Sequence, residues 1–577
     1  MTKNSRRDFL QLSGFGMAGL AGAPLLAGKA QAQPLASAIS GSANPDLVVI
    51  NANVYTIDPS LPRASAFAVK GDRFLAVGST DEIRNLAGGN TQVVDAQGMT
   101  VVPGFIDCHV HARGETLLYE VLVGNPFEVE FVSIASIVDK LRAKAQTLPP
   151  GTWVEGYFFD DTKLTDDRGI HRRDLDEVSR DHPVVVRHRG GHSAFYNSKA
   201  FEMAGITNMT PDPMGGTYDK DPEGQLTGRV TDRAMYPFRE VGSRATFSAQ
   251  EQERRARDSI AYISKQFARY GLTSVHHEGG DLAAIQDVRA RGELLHRVSY
   301  EASGTVLESM IAAGIKTGFG DEWIKLGATS EHTVDGSFSE RTMAISVDYP
   351  NVSPPYRGNV TESQDVLNDW VERVHRAGIQ VNVHANGDVA IDSFLTAAER
   401  AQRLYPRPDA RPKITHCTLV TEDLVRRMHA LGCVPAMFTT YAYYNPDKFV
   451  YYGEDLMQRA MAYRSMLDAG IMACAGSDFS PGPFAPLMGI QGMVTRRGWD
   501  GKVWGANQRI SVAEAIAVST YNGAWASGEE SIKGSITAGK LADYVMLAED
   551  PHTIDPENIK DIEIARTVVG GMTSYEA

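Results

Sequence analysis

Between residues 46 and 102, short runs of alternating or wholly apolar positions are separated by turn residues. Runs at 47–50, 66–69, 74–78 and 92–95 predict β-strands. The C-terminus repeats the pattern at 542–547 and 565–571. Between these ends, helix-period stretches alternate with short β-branched or apolar runs at 271–276, 297–302, 325–335, 380–384, 413–416, 434–438 and 471–478. A further run, Val102-Pro103-Gly104-Phe105-Ile106, leads into Asp107-Cys108-His109-Val110-His111, which makes eight strands. Eight is the number that a (β/α)8 barrel requires. The expected fold is therefore α/β. A TIM-like barrel covers 103–535, with a large insertion after its first strand at about 113–248. Beside it stands a small discontinuous β-sandwich built from both termini, 46–102 and 536–577.

The beginning of the chain changes the address of the protein. Ser5-Arg6-Arg7-Asp8-Phe9-Leu10 precedes a Gly- and Ala-rich apolar run of about 17 residues, and Ala30-Gln31-Ala32 follows as a small-x-small processing site. This arrangement is similar to a twin-arginine export signal, so residues 1–32 are expected to be a signal peptide cleaved near Ala32, with a periplasmic mature protein. The run is marginal as a membrane span, and no later segment reaches that apolar length, so no membrane partner is expected after cleavage.

With 577 residues, 43% of them hydrophobic, the chain can bury a large core. The formal charge is −14, and residues 1–32 contribute Lys3, Arg6, Arg7 and Lys29 against Asp8, a net +3, which leaves −17 for the rest. Such acidity argues against nucleic acid or an anionic membrane as a partner, and a homo-oligomer stays open. Cys108, Cys417, Cys433 and Cys474 all stand in apolar, strand-like contexts, which is not the layout of a disulfide framework.

The candidate chemistry begins at His109 and His111. Side chains at i and i+2 of a strand project to the same face, so two imidazoles converge there as half of a metal site. His384, His416 and Asp478 close three other predicted strands, at the end where a barrel carries its active site. One buried histidine in such a place is commonly structural, whereas five polar residues at strand ends form a pattern. His192 ends the run Pro183 to Gly191, and His276 closes the second barrel strand; both are candidates to contact a reacting carbonyl. The aromatic segment from Thr439 to Tyr452 reads equally as the lining of an apolar pocket or as a lid packed on the insertion.

In this order, the motifs at 102–111, Val383-His384-Ala385-Asn386-Gly387-Asp388, Gly476-Ser477-Asp478 and Gly534-Ser535-Ile536 through Ala542-Asp543 resemble the amidohydrolase superfamily. The likeness extends over nearly the whole mature chain and is greatest to the branch of enzymes similar to N-substituted formamide deformylase. It implies metal ligation by His109 and His111 from strand 1, His384 from strand 5, His416 from strand 6 and Asp478 from strand 8. Such enzymes often carry a carboxylated lysine on strand 4, shortly before Asp-Gly-Ser. Here Glu331 stands four residues before Asp335, and Lys325 is the only lysine nearby. Glu331 as ligand, a carboxylated Lys325, and a site without a bridging group are the three readings of strand 4.

The resemblance implies a metal-dependent hydrolase that cleaves a C–N bond (amide, formamide or cyclic amide) of a small molecule by metal-activated hydroxide. A divalent metal lowers the pKa of bound water from ~15.7 towards ~7. Imidazole and carboxylate ligands suit zinc first, one or two ions per chain, and Mn2+ or Fe2+ also fit. Asp478 would be the proton acceptor, with His192 and His276 as further catalytic candidates. Two rival readings are a mononuclear deaminase of the same superfamily and a non-catalytic periplasmic binding or regulatory protein.

Overall fold

A computed structural model describes residues 44–350 and 352–577. The expected signal peptide, 1–32, lies outside the described residues. Among those described, no helix is long and apolar enough to cross a membrane.

Eight parallel strands carry the centre: β1 Phe105–Val110, β2 Leu272–Glu278, β3 Arg297–Ala302, β4 Ile324–Thr329, β5 Asn382–Ala385, β6 Lys413–His416, β7 Val434–Phe438 and β8 Cys474–Gly476. They form two arcs, one in the order β4-β3-β2-β1 and one in the order β5-β6-β7-β8. At one seam Thr329 N donates to Gln380 O at 2.9 Å, and at the other Asp478 N donates to His109 O at 2.9 Å. The α/β content and parallel pairing make a TIM-barrel-like centre. Helices such as Gln364–Arg376 and Asp388–Leu404 bury one apolar face against these strands, Leu367, Val371 and Val374 in the first case. Strand alternation is plain on β6: Ile414 joins the core shared with the helices, while Lys413 and Thr415 face inwards.

The expected fourth strand differs from the sequence reading. Residues 325–335 do not form one strand: β4 ends at Thr329, and a short strand His332–Thr333 pairs instead with β5. Ser330 and Glu331 occupy the break, which frees Glu331 from either ladder.

Residues 113–248 build a six-stranded sheet of their own, with Val184–His188 and Ser193–Tyr196 at its centre. Apolar clusters cover both faces, one around Leu141 and Phe159 and the other around Trp153 and Phe238. The terminal segments form two sheets. In the larger, Thr100–Pro103 pairs with Tyr544–Leu547, so the two ends of the chain share one ladder. Val49, Phe67 and Phe74 of one sheet share an apolar cluster with Val101, Tyr544 and Val568 of the other. A buried ion pair, Arg297 Nε to Asp543 Oδ2 at 2.8 Å, ties this unit to β3.

Candidate active site

Six side chains converge at the C-terminal end of the central strands. β1 presents His109 and His111 on one face, as the i, i+2 spacing requires. The rest arrive less regularly. His416 has φ +74°, Asp478 has φ +52°, and Glu331 projects from the break after β4. Strict alternation along β6 would send His416 outwards with Ile414, and the left-handed turn of its backbone returns it to the interior. Such φ values cost free energy in non-glycine residues and persist where surrounding structure imposes them.

The donor atoms face one another. His109 Nε2 is 3.3 Å from Asp478 Oδ1 and 3.6 Å from Glu331 Oε2. His111 Nε2 is 3.1 Å from Asp478 Oδ1 and 3.6 Å from Glu331 Oε1. Glu331 Oε2 is also 3.3 Å from His384 Nδ1 and 3.1 Å from His416 Nε2. A tetrahedral ion with ligands at about 2.0–2.1 Å separates those ligands by roughly 3.3 Å. Both ring nitrogens of His109 and Oε2 of Glu331 are buried without a hydrogen-bond partner. Orphaned buried acceptors cost free energy unless something satisfies them, and a cation fits this set of imidazoles and carboxylates.

Surrounding groups fix the ring orientations. His384 Nε2 donates to the Gly336 carbonyl at 3.1 Å, an acceptor it shares with the Asn386 amide, so Nδ1 is the atom left facing inwards. Asp107, on β1, accepts from Ser477 N at 3.0 Å and His109 N at 3.1 Å, which locks β8 to β1. Burial raises the Asp107 carboxyl to about 6. Burial works against ionisation of Glu331, yet the imidazoles of His109, His384 and His416 outweigh it and hold its carboxylate well below the usual range. Asp478 behaves alike, held low against burial by His416, His109 and His111.

The cavity at this point has a volume of about 140 Å³, and Arg113, His192, Ser337 and Asn386 line it together with the convergent residues. Phe438 is its one large apolar side chain. His192, from the insertion, reaches this wall: its ring is 4.6 Å from that of His384, and its Nδ1 is 2.8 Å from Asp232 Oδ1. Burial disfavours its charge, but the hydrogen bond to Asp232 prevails and lifts it to about 9.

One candidate is displaced, and two alternatives that the sequence left open narrow. His276 does not line the cavity. It lies deeper within the strands, with Nδ1 3.7 Å from Glu301 Oε1, and the site-facing residue of β2 is Glu278, two positions on. Glu278 is pushed up to about 8 by burial and then by Glu301 and Glu331. Lys325 stands at the start of β4, the opposite end from Glu331, and pairs with Glu529 at 2.9 Å; the strand-4 group in the ring of donors is Glu331. Of the two readings of the aromatic segment, packing on the insertion is the one its contacts fit, and none of its residues lines the cavity. Tyr441, Tyr444, Phe449 and Tyr452 are buried in a lid that meets the insertion through Lys448–Asp160 at 3.0 Å and Lys163–Asp447 at 3.2 Å.

Sequence reading missed Arg113, Asp232, Glu278, Glu301 and Lys413. Arg113 was within reach, because it continues the i, i+2 period of His109 and His111. Glu301 and Lys413 form a wholly buried ion pair beneath His109, whose Nδ1 is 3.8 Å from Glu301 Oε2, and Asn382 Nδ2 donates to that carboxylate at 3.1 Å. No local pattern announces such a pair.

Comparison with known proteins gives consistent matches. The profile of the amidohydrolase family matches residues 92–575. The chain is 28% identical over 556 residues to N-substituted formamide deformylase of Arthrobacter pascens, covering 92% of this chain and 98% of that protein. It is 26% identical to the protein LONG AFTER FAR-RED 3 of Arabidopsis thaliana, covering 92% and 91%. Among solved structures, an uncharacterized metal-dependent hydrolase from Pyrococcus horikoshii OT3 has the same fold at a TM-score of 0.67 and 22% identity, over 88% of this chain and 99% of that one.

Proposed function

The chain belongs to the amidohydrolase family and is a hydrolase acting on carbon–nitrogen bonds, and from that premise we propose that it cleaves an amide, formamide or cyclic amide bond of a small molecule with a divalent metal. The observation that carries this reading is the convergence of His109, His111, Glu331, His384, His416 and Asp478, in which both ring nitrogens of His109 and Oε2 of Glu331 are buried without a hydrogen-bond partner among the described residues. These six would hold one or two ions, zinc foremost. A divalent ion bound there activates water at neutral pH and polarises a carbonyl.

The residues of the chain divide the remaining work. Asp478, ionised and within reach of His109 and His111, accepts the proton of the attacking water and returns it to the leaving nitrogen. His192, kept protonated by Asp232, donates from Nε2 to the carbonyl oxygen as negative charge develops on it. The Gly336 carbonyl, accepting from His384 Nε2, holds that ring with Nδ1 towards the cavity.

The same reading takes the two parallel arcs as one closed (β/α)8 barrel, the terminal sheets as one sandwich, and the mature protein as periplasmic after twin-arginine export. The test is elemental analysis of the purified mature protein together with turnover of formamides, N-acyl amino acids, carbamates and cyclic amides. Bound metal with chelator-sensitive hydrolysis of one class supports the proposal. Full activity in metal-free protein overturns it.

A further inference from the structure

Among the described residues three arginines line the cavity and its side pocket, and one of them, Arg113, has an unpaired guanidinium. Arg187 pairs with Glu155 at 2.7 Å. Arg189 is fully occupied, donating to Ser480 O at 2.6 Å, Asn125 O at 3.2 Å, Pro126 O at 3.2 Å and the Tyr444 hydroxyl. Arg113 forms no ion pair and no side-chain hydrogen bond among the described residues, and its Nε is buried without a partner. Arg113 is half-buried at the cavity wall with its guanidinium unpaired, and the planar fork matches a carboxylate.

The position of Arg113 is built rather than incidental. It stands three residues beyond the end of β1, at the start of the helix Gly114–Tyr119, and precedes Gly114, where an added Cβ would lie 2.1 Å from Ser259 O. The chain is thus pinned against the helix Ala249–Arg269, and a bulkier residue at 114 would displace Arg113. Arg113 also forms the wall common to two spaces. One is the cavity with the convergent histidines; the other is a side pocket of about 70 Å³ walled by Tyr157, Phe158 and Met235. A cation therefore stands between the reacting centre and a small pocket of mixed wall, which sets Phe158 and Met235 beside Arg187, Arg189 and Ser193.

We propose that Arg113 is a specificity-determining residue that binds the carboxylate of an N-acylated amino acid, whose side chain enters the pocket beside Phe158 and Met235. This rests on the hydrolase reading above and names its substrate class. The reaction balances as R–CO–NH–CHR′–COO⁻ plus water giving R–COO⁻ and ⁺H₃N–CHR′–COO⁻. The acyl C–N bond breaks, a C–O bond forms from water, and the proton of the new acid passes to the amino group. The polar lining, in which Phe438 is the one large apolar side chain, suits such a substrate.

The experiment compares kcat/KM of the metal-loaded mature protein for N-acetyl and N-formyl amino acids and for their uncharged carboxamides. The wild type prefers the carboxylates by on the order of 10²-fold, the scale of a charge-assisted pair, and the preference collapses towards unity in Arg113→Gln. Arg113→Lys recovers part of it, because it restores charge without the fork. Metal content and Tm, measured alongside, show whether the variants fold and load. Equal turnover of both partners by the wild type, or an unchanged preference in a folded, metal-loaded Arg113→Gln, overturns the assignment. If no amide is turned over, the hydrolase reading fails, and calorimetric binding of N-acetyl amino acids still decides this inference. Binding that Arg113→Gln abolishes supports it, and absence of binding to the wild type overturns it.

Discussion

His192 Nδ1 lies 2.8 Å from Asp232 Oδ1, a pair that closes across 40 residues of chain within the insertion. Asp232 Oδ2 accepts from Asn359 Nδ2 at 2.6 Å, so the carboxylate is held in place from both sides. Glu340, whose Oε1 accepts from His192 N at 3.0 Å, and Glu331 across the cavity add negative charge, while the His384 ring packs against it.

The pH dependence follows from that pair. With its folded value raised to about 9, His192 is a cation at neutral pH. kcat/KM is expected to fall as pH rises through about 9, and Asp232→Asn is expected to move that limb down by ~1 unit or more, towards the ordinary value of histidine. The sign for stability is the same: the raised value adds stability that is fully present below about 6.5 and is lost as pH climbs through about 9. A pH–rate profile unchanged by Asp232→Asn would remove His192 from the mechanism.

Metal retention should depend on β1. His109→Ala is expected to lose most of the bound metal and nearly all hydrolysis, because Val110 faces the other way and no neighbour can substitute. Metal analysis of the folded variant decides this; near-wild-type content would refute the ligand assignment.

Asp478→Asn keeps size and an oxygen donor but cannot accept a proton at neutral pH. Metal should be largely retained while kcat falls by roughly 10²–10⁴. Full activity would assign the base to another residue.

Glu331 and Lys325 separate cleanly. Glu331→Gln should reduce metal content, since it removes the carboxylate that meets His109, His384 and His416. Lys325→Ala should leave metal content and bicarbonate independence intact and lower stability by roughly 1–3 kcal/mol, because Lys533, 2.8 Å from Glu529, still offsets that buried carboxylate. Inductively coupled plasma analysis and thermal unfolding read the two effects apart, and a metal requirement for Lys325 would reverse the assignment.

Export is testable separately from catalysis. Replacing Arg6 and Arg7 together by lysine is expected to leave precursor in the cytoplasm, read by fractionation with size on a gel. Unchanged periplasmic yield would rule out the twin-arginine route.

By itself the sequence determined the parts governed by local periodicity. The eight strands, the pairing of His109 with His111 on one face, and the terminal β segments follow from alternation and turn residues within a few positions of one another. His384, His416 and Asp478 were legible as strand-end residues for the same reason. Tertiary structure decided whatever depends on departures from that period or on distant chain. The break between Thr329 and His332 selects Glu331 and leaves Lys325 at the far end of β4, a matter of six residues of chain. His416 faces the site only because its φ is +74°, a strained state stabilised by packing around it and invisible in composition. Asp232, Glu301, Lys413 and the free guanidinium of Arg113 gain their meaning from partners present or missing across hundreds of residues. Local propensity carries no information about a charge's neighbours in space, and only the folded strands and the insertion set those neighbours.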